Sequence, residues 1–287
     1  MNASPPAPSA PGREASHFDQ LTRLIHEHIG VRLPPSKRQM VEGRLRRRRM
    51  ALGFGSVDDY FHHLFEQGGL EAELHEILDA VTTNKTDFFR EPDHFRLLVD
   101  RIVPQTLQHR PMARRRSLFK VWSAAASTGA EAFTLAMLLE DLSGRLPDLN
   151  YGILGTDINT EVLETARRAI YPVEQMDPVP PAFRTRFLMQ GSGSLAGQVR
   201  IVPELRQRTR FARMNLMDPQ YTVDRDIDVI FLRNVLIYFD PADQARVIAR
   251  MISHLAPGGH LLVGHSESMV VRSAQLKQIA PAVFQRN

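Results

Sequence analysis

Apolar residues in the first part of the chain recur at helical spacing. Phe18, Leu21, Leu24, Ile25 and Ile29 fall near one face, which predicts a helix over 18–29. Ser36 can cap a second helix running to about Leu52, with Met40, Val41, Leu45 and Met50 as its apolar positions. Gly53-Phe-Gly-Ser56 interrupts the pattern, and Ser56 or Asp58 starts a third helix through Phe65. Glu71 to Val81 reads as a fourth. Residues 16–90 are therefore expected to be a small helical domain packed around its own apolar stripe.

From Phe119 the period changes. Short apolar runs of strand length (119–123, 151–155, 228–232, 260–263) alternate with helix-like runs (130–142, 161–169, 243–255). Strand–helix alternation predicts an α/β domain over 91–287, a parallel sheet with helices on both faces. About 172–213 breaks the alternation. Gln190-Gly-Ser-Gly-Ser194, Gly197, Gln198–Val202 and Thr209–Ala212 look like glycine turns joining short antiparallel strands, so a small β insertion is expected there.

Composition narrows the class. The chain has 287 residues, 43% hydrophobic and 24% charged, ordinary for a globular protein. Without cysteines it has no disulfides, thiolate metal sites or cysteine nucleophiles. No apolar stretch approaches the roughly 20 residues that span a bilayer. Residues 1–15 begin with a Pro-, Ala- and Ser-rich run that lacks a signal pattern and reads as a disordered tail. A cytoplasmic protein without direct membrane insertion is the expectation. The net charge is +4, but the excess is local: Arg44, Arg46, Arg47, Arg48 and Arg49 lie within one stretch of the second helix. Such a cluster suits an acidic partner, or is simply a solvated face.

Candidate chemistry lies where strands end, since ligands of open parallel sheets sit outside the carboxyl ends of the strands. Asp157 closes Leu154-Gly-Thr-Asp157 and could accept the hydroxyls of a ribose, or cap the next helix. Ser123-Ala-Ala-Ala-Ser-Thr-Gly-Ala-Glu131 lets backbone approach a ligand before a helix begins, and Glu131 is either a ligand contact or a first-turn acid. Arg233, Asn234 and Tyr238 follow the strand ending at Leu232. Thr82-Thr-Asn-Lys-Thr-Asp-Phe-Phe-Arg90 joins the two regions and offers Asn84, Thr86 and Arg90 as hydrogen-bonding groups. The eleven histidines show no HExxH-like spacing, and no metal is expected.

These segments, with Asn215-Leu216, Phe231–Asp240 and Gly264-His-Ser-Glu-Ser268, keep order and spacing over about 17–285. They resemble the CheR-type chemotaxis receptor glutamate methyltransferases. The resemblance implies an N-terminal helical domain, an S-adenosylmethionine (SAM) binding α/β domain of Rossmann-like methyltransferase type, and a β subdomain inserted in it. It implies that Asn84, Thr86, Arg90, Glu131, Asp157, Asn215, Leu216, Arg233 and Asn234 contact SAM, and that Tyr238, with Arg90, serves the transfer. Where the family usually has two glutamates after the glycine, this chain has Ala130-Glu131.

The implied reaction moves a methyl group from SAM to glutamate carboxylates of a chemoreceptor cytoplasmic domain, leaving S-adenosylhomocysteine. The arginines Arg44 and Arg46–Arg49 would dock the receptor's acidic face. Gln190-Gly-Ser-Gly resembles the segment that grips a receptor tethering peptide in some members. A monomer without nucleic-acid partners is expected. The competing readings are a nucleic-acid methyltransferase and a non-catalytic SAM sensor. Leu232-Arg-Asn-Val235 stands where the former carries an Asp/Asn-Pro-Pro-aromatic turn, and the latter is separated from both enzymes by a test for methyl turnover.

Overall fold

The structure is a computed structural model, and it describes residues 16–110 and 117–287. The expected tail at 1–15 lies outside these residues. The described chain divides into two compact units: residues through His28 with Arg32–Val81, and Ile29–Val31 with Thr82–Asn287. The sequence reading drew the boundary at residue 90, but Thr82–Arg90 belongs to the second unit. Phe88 meets Tyr171 edge to face at 5.1 Å, and the Phe89 N–H donates to Thr134 Oγ1 at 3.1 Å.

The first unit is all helical: α1 (His17–Ile29), α2 (Arg38–Ala51), α3 (Val57–Glu66) and α4 (Leu70–Val81). Phe18, Leu21, Ile25, Val41, Leu45, Tyr60, Phe61, Leu64 and Ile77 are buried. Ser56 caps α3, exchanging hydrogen bonds with Asp59 in a capping box. Ser36 does not cap α2: it lies in a 3-10 turn, Pro35–Lys37, that leads into the helix at Arg38. Met50, counted with the apolar face, is 63% exposed.

The second unit opens with α5 (Pro92–Leu97), a π-helical turn at Leu98–Ile102 and α6 (Val103–His109). Then come β1 (Phe119–Ala124), α7 (Ala130–Ser143), β2 (Tyr151–Asp157), α8 (Thr160–Arg168) and β3 (Ile170–Pro172). Next are α9 (Pro181–Phe187), β4 (Leu188–Gln190), β5 (Gln198–Ile201), α10 (Pro203–Arg208) and β6 (Thr209–Arg213). The chain closes with β7 (Ile227–Leu232), α11 (Pro241–His254), β8 (Leu255–Val263), β9 (Leu276–Ala280) and β10 (Val283–Arg286). The main sheet is seven-stranded, ordered β6-β2-β1-β7-β8-β10-β9. The strands from β6 to β8 are mutually parallel, and β10 and β9 add an antiparallel hairpin. Both faces are covered. Phe119, Val121, Val229 and Phe231 join one core, and Trp122, Ala124, Ile230 and Leu232 join the other. That is why β1 and β7 read as apolar runs rather than alternating ones.

The β insertion is present as a three-stranded antiparallel sheet, β3-β5-β4. One expected member is not in it: Thr209–Ala212 belongs to β6, which pairs parallel with β2 at the sheet edge. Phe211 explains the placement, because its ring fills the space beside Gly129 and Gly155, where an added Cβ would meet it at 3.0 and 2.6 Å. No helix among the described residues is long and apolar enough to cross a membrane.

Candidate active site

Strand β1 lies between β2 and β7, and the connections leave it in opposite directions. Such a switch point opens a crevice at the carboxyl ends of the strands. The loops there hold Phe89, Glu91, Ala125, Ser127 and Asn234, all non-glycine residues at positive φ. Left-handed backbone at non-glycine residues tends to collect at functional sites.

Asp157 ends β2 and is 8% exposed. Its carboxylate accepts the Ser127 N–H at 2.8 Å and the Asn159 N–H at 3.0 Å. The capping alternative for Asp157 fails, because Asn159 caps α8 by accepting from Val162 N–H at 3.1 Å. Asn215 and Leu216 come to the same end of the sheet: Met214 N–H donates to the Asp157 carbonyl at 2.8 Å.

Arg233 leaves β7 into a buried acidic cage. It lies 3.0 Å from Glu91 and 3.2 Å from Glu131, and donates to the Arg90 carbonyl at 2.6 Å. Its side chain is 2% exposed, and Phe95 and Phe231 stack beneath it. Glu131 also accepts from Ser123 Oγ at 2.7 Å. Burial pushes the Glu131 carboxyl up, against the pull of Arg233 and Ser123. For Glu91 burial also pushes up, but Arg233 and Asn234 outweigh it and hold the carboxyl below its ordinary value. Glu131 is thus an interior counter-ion rather than only a first-turn acid.

The segment 82–91 is stitched across these strand ends. Asn159 Nδ2 donates to Thr82 Oγ1 at 2.8 Å, and Ser127 Oγ donates to the Asn84 carbonyl at 2.8 Å. Asn84, Thr86 and Arg90 are half-buried here. The Arg90 guanidinium donates to the Lys85 carbonyl at 3.2 Å. Tyr238 closes a 3-10 turn, Leu236–Tyr238, and is also half-buried. The strand-end loops thus carry Asp157, Arg233, Asn234 and Tyr238, with Glu131 beside Arg233 and the 82–91 segment stitched to them.

Three groups were missed from sequence. Glu91 sits beside Arg90 but acts through Arg233, far along the chain. Glu267 is 1% exposed and accepts backbone N–H groups from the loop that carries Asn234. His94 is buried, its ring 4.8 Å from that of His265. Desolvation, with the nearby Arg233 charge adding to it, pulls His94 down to about 4, so its ring is neutral at neutral pH. Ligand atoms of Glu91, His94 and His265 come within 4.8 Å of one another, but the Glu91 carboxylate already faces the Arg233 cation.

The five arginines of α2 belong to the helical unit and divide by task. Arg48 makes a bidentate pair with Glu73, both bonds 2.7 Å, and Tyr60 donates to the same carboxylate at 3.1 Å. Arg44 donates to the Val81 carbonyl, and Arg49 to the carbonyls of Phe54 and Gly55. Arg46 and Arg47 are exposed. The run is thus only partly a solvated face.

Comparison with known proteins identifies this arrangement. The model described as the CheR methyltransferase all-alpha domain matches residues 16–82, and that of the CheR methyltransferase SAM binding domain matches 84–284. The chain belongs to the CheR methyltransferase family. It is 38% identical to chemotaxis protein methyltransferase 2 of Pseudomonas aeruginosa, over 99% of each chain. It is 41% identical to the Escherichia coli chemotaxis protein methyltransferase, over 88% of this chain and 84% of that one. For the Salmonella typhimurium protein the identity is 39%, over 91% and 88%. This CheR-family chain is a SAM-dependent methyltransferase. Its helical unit, Rossmann-like α/β sheet and small antiparallel insertion are the architecture expected from the sequence, with β6 and the β9–β10 hairpin added to the sheet. The strand ends offer a carboxylate at the end of β2 and buried charge from Arg233, Glu91 and Glu131.

Proposed function

We propose that this enzyme methylates glutamate side chains in the cytoplasmic domain of chemoreceptors, forming glutamate methyl esters. It would do so in the cytoplasm, as a monomer. The observation that carries the reading is the convergence of Asp157, the Glu91–Arg233–Glu131 cage and Tyr238 on one sheet end, in a chain that matches chemotaxis methyltransferases along nearly its whole length. Asn84, Thr86, Arg90, Glu131, Asp157, Asn215, Leu216, Arg233 and Asn234 form the SAM pocket, and Asp157 takes the ribose diol.

SAM supplies a methyl group on a sulfonium and leaves as S-adenosylhomocysteine. The acceptor is a carboxylate, already anionic at neutral pH, so the chain need not provide a strong base. Its task is alignment and exclusion of water from two opposite charges. Tyr238 orients the methyl or the acceptor, and Arg90 shapes the cofactor end. The exposed arginines Arg46 and Arg47 dock the acidic receptor surface, while Arg44, Arg48 and Arg49 hold the helix that presents them. The β insertion, with Met189 48% and Leu195 46% exposed around Gln190-Gly-Ser-Gly, is the surface for a receptor tethering peptide.

The test is methyl transfer from labelled SAM to receptor cytoplasmic fragments, followed by mild alkaline release of methanol. Base-labile label that vanishes when acceptor glutamates become alanine supports the proposal. Label on nucleic acid, or tight SAM binding without turnover on any receptor, overturns it.

A further inference from the structure

The loops after β7 and β8 leave adjacent parallel strands side by side, since Leu232 pairs with Val263. The first carries Arg233, Asn234 and Tyr238. The second carries Gly264 and a 3-10 turn, His265–Val270. Glu267 reaches from the second loop into the first. Its Oε2 accepts the N–H of Asn234 at 2.8 Å and of its own Gly264 at 2.7 Å, and its Oε1 accepts the Leu236 N–H at 2.8 Å. The Ile237 N–H adds to the same carboxylate. The side chain touches neither Tyr238 nor Arg233 through a hydrogen bond; it grips the backbone around them.

Three features make this more than ordinary packing. Asn234 has φ of +57°, the left-handed region that asparagine tolerates better than most side chains, and the Glu267 carboxylate receives its N–H there. The carboxylate is 1% exposed, and every donor it receives is a backbone N–H of these two loops. Space has been cleared for it as well: a Cβ on Gly264 would meet Glu267 Oε2 and Asn234 Nδ2, each at 2.7 Å. Burial pushes the Glu267 carboxyl up, and the backbone N–H groups pull against that.

We propose that Glu267 is a positioning residue for methyl transfer, fixing the Leu236–Tyr238 turn so that Tyr238 meets the acceptor in register. This rests on the role given to Tyr238 above. Glu267 acts through the turn and touches no reacting atom.

The conservative variant separates this from a general structural role. In Glu267→Gln one terminal atom still accepts, and the other becomes an amide NH2 facing an N–H. The oxygen is best placed toward Asn234 and Gly264, where it keeps two bonds, leaving the NH2 against Leu236. The variant should therefore loosen the Tyr238 turn and spare Asn234.

The experiment uses the full chain. Hydrogen–deuterium exchange is followed by mass spectrometry, SAM affinity by calorimetry and methyl-ester formation by kinetics. Glu267→Gln should speed exchange over 235–239 by about tenfold or more and hold SAM Kd within about threefold, while kcat drops by about tenfold and receptor KM stays. Tyr238→Phe added to Glu267→Gln should lower kcat no further than Tyr238→Phe alone, because both act through one hydroxyl. Unchanged exchange at 235–239, unchanged kcat, or additive losses overturn the proposal. If the unsubstituted enzyme forms no methyl ester on any receptor, the receptor reading fails by itself, and the exchange measurement still decides whether Glu267 holds the turn.

Discussion

Replacing Arg233 by methionine is the sharpest probe of the buried cage. Methionine keeps much of the volume and removes the charge. Glu91 and Glu131 then face each other's surroundings without their shared cation, at positions where their side chains are 17% and 13% exposed. Breaking a buried ion pair by removing one partner costs about 3–5 kcal/mol, because the remaining charge is uncompensated. Losing the bond to the Arg90 carbonyl adds about 1 kcal/mol. At roughly 2–4 °C per kcal/mol for a domain of this size, Tm should fall by about 10 °C or more. The pH dependence follows from the two carboxyls. In the unsubstituted protein Glu91 is held below its ordinary value, so its contribution is present above the unfolded pKa and lost as pH falls through the folded one. Glu131 is raised, so its contribution is present below the unfolded pKa and lost as pH rises through the folded one. Without Arg233 both folded values rise, and both carboxyls take up protons on folding. The deficit should then be largest near pH 8 and shrink toward pH 5, by up to about 1.4 kcal/mol per pH unit for each titrating carboxyl. Thermal melts of both proteins from pH 5 to 8 measure it. Adding Glu131→Gln to Arg233→Met should recover part of the loss. A deficit that is the same at every pH, or no recovery in the double variant, would refute the cage as an electrostatic unit.

Tyr238→Phe should lower kcat by about tenfold or more while SAM Kd, measured by calorimetry, stays within about twofold; equal turnover would remove Tyr238 from the chemistry. Charge reversal at the exposed Arg46 should weaken receptor methylation at low salt and leave Tm nearly unchanged, whereas Arg48→Glu should cost about 3 kcal/mol of stability by opposing the buried Glu73. Thermal melts and initial rates across a salt series separate the two. Thr134→Val, nearly isosteric, takes away the acceptor of the left-handed Phe89 N–H and should lower stability by about 1–3 kcal/mol in urea melts, with an unchanged midpoint counting against that restraint.

Local pattern carried the helical unit, the core strands β1, β2, β7 and β8, and the place of Asp157 at the end of β2, because each shows in a few consecutive residues. What local pattern missed is held by distant partners. The hairpin β9–β10 is short and half-exposed, with no long apolar run to mark it, and it exists by pairing with β8. Strand β6 was grouped with the insertion since Thr-Arg-Phe-Ala-Arg reads equally well in any sheet edge; Phe211 packing beside Gly129 and Gly155 decides it. The arginine run looked uniform as sequence. Only the positions of Glu73 and of the Val81, Phe54 and Gly55 carbonyls split it into structural and exposed members. Glu267 is one glutamate among many until the β8 loop turns it under the β7 loop.

The left-handed residues of the site show how such distant partners shape it. At Phe89, Glu91, Ala125 and Ser127 this puts a Cβ close to a carbonyl oxygen, at a cost of about 1 kcal/mol or more, while asparagine at 234 bears it more easily. At three of them the strained residue's own N–H is received by a buried side chain from another segment: Phe89 by Thr134, Ser127 by Asp157, and Asn234 by Glu267. The restraint at Ser127 is the carboxylate proposed to take the ribose. Each Asp157 oxygen already accepts a backbone N–H, from Ser127 and from Asn159, so a ribose diol would share a carboxylate that these two contacts hold in place. The loops of the crevice are in this way preset by contacts inside the protein, so that ordering them need not be drawn from the free energy of ligand binding. A methyl transfer that needs no base from the chain depends on alignment above all. That makes rigid loops, rather than an unusual side-chain chemistry, the property this sheet end is built to supply.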